Sequence, residues 1–304
     1  MPLRHRVVSL LPSATEIVCA VGAADQLVGI SHECDFPDGI RDRAVLTRSR
    51  IAGDGSSRSI DTEVRTLLRD ALSIYAVDED ELAALAPEVV ITQDLCEVCA
   101  VSLDDVRRAV ARLARRDDVR IVSLRPTRLS DVLGDVERVA DALGRIEQGR
   151  RVRAELERRI ERIAARVAPA PTRPRVASVE WIEPLMLGGT WMPDLIELAG
   201  GTAVGVAPGE PAPTIEPADL RSLRPDLVLV KPCGFTLERT LRERELIGRA
   251  IAANLEPGVP IYLADGSAYF NRPGPRLVES LEILAACVHP DIFGVPARAQ
   301  RFAD

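Results

Sequence analysis

Lysine occurs once in this chain, at position 231, and the other 38 basic residues are arginines. Histidine occurs three times and aromatic residues make up only 3% of the sequence. A local concentration of either type is therefore informative. No apolar run approaches the ~20 residues that a membrane-spanning helix needs, so no membrane insertion is expected. A formal net charge of -7 lacks the basic surface that phosphate backbones require, which excludes a nucleic-acid partner. The glycine patterns GxGxxG, Walker A and GxSxG do not occur, and the commonest nucleotide-binding and hydrolase readings go with them.

The start of the chain resembles a secretory signal, with Arg4 and Arg6 ahead of "VVSLLPSATEIVCAVGA". Pro12 and Glu16 interrupt that apolar run, and Cys19 follows Glu16, Ile17 and Val18 instead of the small residues of a lipoprotein cleavage site. A cytoplasmic address is expected. The six cysteines then read as reduced thiols rather than a disulfide framework.

At 304 residues with 46% hydrophobic content, the chain can bury two cores of ordinary size. An internal echo supports two. "ELAALAPEVVIT" (residues 81–92) and "DLRSLRPDLVLV" (219–230) share an acidic residue, Leu, Leu, Pro, an acidic residue and a strand-like run in the same order. The proline ends a short helix and the aliphatic run is a buried parallel strand. "TEIVCAVGAADQLVGI" pairs in the same way with "MPDLIELAGGTAVGV", each a helix stopped by Gly22 or Gly200 before a strand. Each half reads as alternating strands and helices, which implies parallel sheets with right-handed crossovers. The stretch between them includes "RRVRAELERRIERIAARV", whose apolar positions Val152, Leu156, Ile160, Ile163 and Val167 mark one face of a solvated helix. The expected fold is α/β: two small parallel-sheet lobes, residues 1–129 and 169–304, joined by a long backbone helix over 130–168 that breaks near Gly144 and Gly149, with a ligand cleft between the lobes.

Open α/β sheets place ligand groups beyond the carboxyl ends of their strands. That rule selects Ser13, "SHECDF" and "QDLCEVC" in the first half, and "EWIEP", "GGTW", "KPCGF" and "DGSAYFNR" in the second. These segments hold both tryptophans and four of the six cysteines. Lys231 lies in one of them, where a compact point charge is expected to serve the ligand. The pair Cys96 and Cys99 supplies half the ligands of a closed zinc site, completed by His32, Cys34 or Cys233. It equally suits a redox pair ahead of a helix capped by Ser102 and Asp105, or two wall residues of a binding pocket. Ser31, Glu33 and Asp35 around His32 make a polar pocket residue of it rather than a core histidine.

Together "VVSLLPSATEIVCAVG", "LVGISHECDFP", "ELAALAPEVVITQ", "LGGTWMPDLIELAGG", "ADLRSLRPDLVLV" and "SAYFNRPGPRLVESLEIL" resemble the cobalamin-binding, helical-backbone (class III) substrate-binding proteins of ABC importers, over about residues 6–290. "HECD" and "QDLCEVCAVS" resemble a sub-branch without an export signal. The resemblance implies a periplasmic-binding-protein fold that binds a corrinoid without catalysis, the flat ring lying in the cleft against Trp181, Gly189, Trp191, Tyr269 and Phe270. Ser13, Glu33, Gln93, Lys231 and Arg272 would meet its amides or phosphate. The cobalt, or another bound metal, would be reached by His32, Cys34, Cys96 or Cys99. Glu81 and Glu216 match the acidic residues that dock on transporter arginines. The resemblance implies an ABC transporter or a corrinoid-dependent enzyme as partner, in uptake, storage or delivery, and the cytoplasmic address favours storage or delivery over import. The alternatives are a thiol- or metal-dependent protein built on the His/Cys cluster, and a binder of haem or an iron chelate.

Overall fold

The computed structural model describes residues 5–51, 54–69, 75–93, 107 and 119–303. Two compact units emerge, one comprising Met1–Asp54, Thr62–Pro126 and Ser130–Glu155, the other Gly55–Asp61, Thr127–Leu129 and Leu156–Asp304.

The first lobe runs β1 (Val7–Ser9), α1 (Pro12–Ala20), β2 (Leu27–Ile30), β3 (Ala44–Val45), β4 (Thr47–Ser49), α2 (Ser57–Arg69), β5 (Tyr75–Val77), α3 (Glu79–Leu85), β6 (Val89–Gln93) and β7 (Arg120–Leu124). Its five-stranded sheet has the order β3-β2-β1-β6-β7, and every pair in it is parallel. Strands covered on both faces need apolar side chains throughout. Accordingly β6, the run after Leu-Ala-Pro, is buried at all five positions, and each buried Val or Ile contributes about 1.5–3 kcal/mol. Val8, Leu10, Leu46, Leu82 and Val90 form part of the core on this sheet. Asp78 caps α3 by accepting the backbone N–H of Glu81 at 3.0 Å. β4 and β5 make a separate antiparallel pair that the sequence pattern does not announce, since neither exceeds three residues.

The helical stretch is two helices, α4 (Leu129–Ala142) and α5 (Ile146–Val167), and the two units share it, dividing α5 after Glu155. Gly144 makes the break, with a left-handed φ of 65°. Gly149 does not: it lies inside α5, where a Cβ would fall 2.4 Å from the Ala140 Cβ on α4. It is a point of close helix approach, not a second interruption. Twenty-two residues make α5 roughly 33 Å long.

The second lobe runs β8 (Arg175–Trp181), β9 (Met186–Leu187), α6 (Met192–Leu198), β10 (Thr202–Ala203), α7 (Asp219–Ser222), β11 (Leu227–Val230), α8 (Leu237–Arg242), α9 (Arg244–Ala250), β12 (Ile261–Ala264), a π-turn (Gly266–Phe270), α10 (Leu277–Val288), α11 (Pro290–Phe293) and β13 (Ala299–Arg301). Its sheet order is β10-β8-β11-β12-β13, with β9 also pairing to β8. β10, β8, β11 and β12 are parallel and repeat the arrangement β2-β1-β6-β7 of the first lobe. The sequence echo is thus a duplication of architecture. The second copy differs by β13, which adds antiparallel to β12. Ala177, Val179, Val228, Val230, Ile247 and Leu263 are among its core residues.

Candidate functional site

In both lobes the chain leaves a central strand, β1 or β8, to one side and then crosses to the other. The carboxyl end of that strand is the switch point where doubly wound sheets take ligands.

In the first lobe β1 passes into α1, whose Pro12 needs no hydrogen-bond partner for its nitrogen at a helix start. Ser13 follows and is buried, as is Gln93 at the end of β6. The turn after β2 carries a connected polar group. Thr47, on β4, donates from Oγ1 to Ser31 Oγ at 3.0 Å. It accepts the His32 backbone N–H at 3.0 Å and lies 2.7 Å from His32 Nδ1. With the single Thr47 hydroxyl proton given to Ser31, Nδ1–H is the donor to Thr47 and Nε2 keeps an unshared lone pair. Burial pushes the His32 pKa down, opposed by the Glu33 carboxylate, so the ring is neutral at pH 7. A neutral imidazole whose Nδ1–H is fixed by a neighbour is the metal-ligating form. Tyr75 packs on this ring, centroids 5.3 Å apart, and its hydroxyl donates to Glu33 Oε1 at 3.0 Å. The sequence reading missed Thr47 and Tyr75 because they arrive on the short β4–β5 pair. The available signal was Tyr75 itself, one of three tyrosines in the chain.

Cys34 is placed differently from His32. It is 1% exposed, and its Sγ lies 3.1 Å from Thr15 Oγ1. Thr15 donates its own proton to Ser9 Oγ at 2.8 Å, so the Cys34 thiol is the donor to Thr15. The buried thiol thus ties the end of β2 to α1. Among the described residues no group of three or more His, Cys, Asp or Glu side chains could hold a metal ion. Cys96 and Cys99 lie outside the described residues.

In the second lobe Trp181 closes β8, half-buried, with Nε1 donating to Glu183 O at 3.1 Å and its ring edge-on to Phe235 at 5.3 Å. Lys231, predicted as a charge for the ligand, points inward. It is 0% exposed, and its Nζ donates to Asn271 Oδ1 at 2.7 Å and Glu180 Oε2 at 3.1 Å. Asn271 returns a bond from Nδ2 to Lys231 O at 3.1 Å. One ammonium thus ties together the ends of β8 and β11 and the turn after β12. A lysine so buried survives only if paired. Phe270 is also fully buried, and its carbonyl accepts from Trp191 Nε1 at 2.9 Å. Both aromatics are buried. Gly189 is a close-approach position: a Cβ there would lie 2.4 Å from Ala212 N. Arg272 is 8% exposed. Tyr269, in the π-turn, is half-buried and faces Arg276 and Arg298.

The model of the family described as periplasmic binding protein matches residues 7–257. The chain belongs to that family. Its fold, two α/β lobes with parallel sheets, is that of the class III periplasmic binding proteins. Solved structures agree on the fold. A periplasmic haem-binding protein from Pseudomonas aeruginosa superposes with a TM-score of 0.72 at 18% identity, covering 98% of each chain. The periplasmic vitamin B12 binding protein BtuF of Vibrio cholerae gives 0.66 at 17% identity, over 94% of this chain and 98% of that one. S. aureus IsdE complexed with haem gives 0.68 at 13% identity, over 94% and 99%. No curated protein matches in sequence. Periplasmic binding proteins bind ligands rather than transform them, and no helix among the described residues is long and apolar enough to cross a membrane.

Proposed function

We propose that this protein is a non-catalytic receptor for cobalamin, with His32 Nε2 of the first lobe directed to the cobalt. The observation that carries this reading is the neutral His32 ring, its Nδ1 held 2.7 Å from Thr47 Oγ1 and its Nε2 without a hydrogen-bond partner among the described residues. In the first lobe the half-buried Tyr75 beside His32 supplies flat apolar surface suited to a macrocycle, and in the second lobe the half-buried Trp181 and Tyr269 do the same. Structural relatives that hold B12 and haem support a metal-centred macrocycle as the ligand class. Glu81 and Glu216 are exposed, one on each lobe, and are the side chains through which an ABC transporter would dock.

Titration with hydroxocobalamin tests the reading. Its labile water is replaced when an imidazole coordinates, so the visible bands shift on binding. His32→Gln should abolish that shift and leave only the smaller change from stacking. No band shift and no heat at micromolar protein would end the cobalamin proposal. Haem is the second reading, favoured by the same Nε2, which ligates iron as readily. Haemin competition ranks the two.

A further inference from the structure

Lys231 does more than fill a buried position: its ammonium fixes a carboxylate at the end of the second sheet. The ladder of β8 with β11 ends on Val179 opposite Val230. The next residues, Glu180 and Lys231, therefore stand side by side at the carboxyl end, where parallel sheets meet their ligands. The turn after β12 closes on them. A Cβ at Gly266 would lie 2.5 Å from Lys231 O, and that close approach brings Asn271 within reach of the lysine. Asn271 Oδ1 accepts one ammonium N–H at 2.7 Å and Glu180 Oε2 another at 3.1 Å. Asn271 is itself oriented, because its Nδ2 donates to Lys231 O at 3.1 Å. The Glu180 backbone is held as well, its carbonyl accepting the Cys233 N–H at 2.9 Å.

A carboxylate that served only to neutralise Lys231 would attract it most strongly with both oxygens withdrawn from water. Glu180 engages Lys231 through Oε2 alone. Its side chain is 25% exposed, and Oε1, open to solvent, has no hydrogen-bond partner among the described residues. The lysine charge is thus directed inward, and what the pair turns outward is an acceptor of fixed position with no proton to give. Such a group bonds an amide N–H strongly because the acceptor is ionised, and it repels a second carboxylate. We infer that Glu180, positioned by Lys231 and Asn271, is a specificity-determining residue that accepts the N–H of a peripheral amide of the bound macrocycle and rejects a macrocycle presenting a carboxylate there. The inference rests on the proposed macrocycle and favours cobalamin over haem, since the rim of cobalamin carries primary amides and that of haem carries propionates.

The test uses the full chain and compares cyanocobalamin with its monocarboxylic acids, in each of which hydrolysis has turned one peripheral amide into a carboxylate. The wild type should bind cyanocobalamin about tenfold more tightly than the acid whose carboxylate meets Glu180, and haemin diamide more tightly than haemin. In Glu180→Gln the new amide can donate to a carboxylate, so the disfavoured acid should gain affinity and the preference fall to within about twofold. A role for Glu180 in stability alone would shift both affinities together and leave their ratio unchanged. Thermal melts check the variant; if it does not fold, Lys231→Met/Glu180→Gln, which removes both charges at once, takes its place. Equal affinities for amides and acids in the wild type, tighter binding of the acids, or an unchanged preference in the folded variant overturns the inference and leaves the receptor reading standing. Failure of every one of these macrocycles to bind overturns both.

Discussion

Replacing Lys231 by methionine removes the ammonium and keeps an unbranched stem of similar length. Asn271 Oδ1 then loses its 2.7 Å donor and Glu180 its 3.1 Å partner. Breaking one side of a fully buried pair costs about 3–5 kcal/mol. The Glu180 side chain is 25% exposed, so water recovers part of that loss, while the buried methionine contributes apolar area of its own. A net destabilisation of about 2 kcal/mol is expected. The chain has two tryptophans, Trp181 and Trp191, both in the lobe that holds Lys231. Urea unfolding followed by tryptophan fluorescence therefore reports that lobe alone. The midpoint should fall with little change in slope. Glu180→Gln in the Lys231→Met background should cost less than in the wild type, with a coupling of about 1–2 kcal/mol. A Lys231→Met protein within about 0.5 kcal/mol of wild type, with additive behaviour in the double variant, would show that the ammonium is not what joins the three strand ends.

Burial pushes the Asp135 carboxyl up to about 6, with Arg138 opposing, and Oδ2 has no hydrogen-bond partner among the described residues. Because its folded pKa lies above its ordinary 3.8, the native state loses stability as pH rises between about 4 and 6. Asp135→Asn should accordingly gain about 1–3 kcal/mol at pH 8 and almost nothing at pH 4, read by calorimetry. The lowered pKa of His32 means that the His32-dependent part of the hydroxocobalamin shift persists below pH 6.5, where a free imidazole would be protonated; loss of the shift already at pH 7 would contradict a neutral ring. Burial raises the Cys287 thiol to about 12 and the Cys19 thiol to about 11, so iodoacetamide at pH 8 should leave both, and Cys34, unmodified in the native protein and label all three in urea. Fast native labelling of Cys34, located by peptide mass mapping, would refute its bond to Thr15.

The repeated Leu-Leu-Pro segments, their aliphatic runs and the alternation of helix and strand were enough to specify two parallel-sheet lobes, because burial on both faces of a strand demands a local composition that can be read directly. β6 and β11 fall on those runs, and Gly144 ends a helix where a left-handed residue is needed. Strand-end positions were legible as a group for the same reason, since the strands themselves were. What each end residue does was decided only by tertiary packing. Lys231 and Phe270 stand in the same kind of segment as His32 and Tyr269, yet the first two turn into the core and the latter two remain partly solvent-accessible. A side chain's direction at a strand end depends on partners far away in sequence, here Glu180 and Asn271 for Lys231. The tertiary structure likewise supplied Thr47 and Tyr75 to His32 through a hairpin too short to show a period, and brought Arg298 back to Tyr269 through an antiparallel strand that no local pattern encodes.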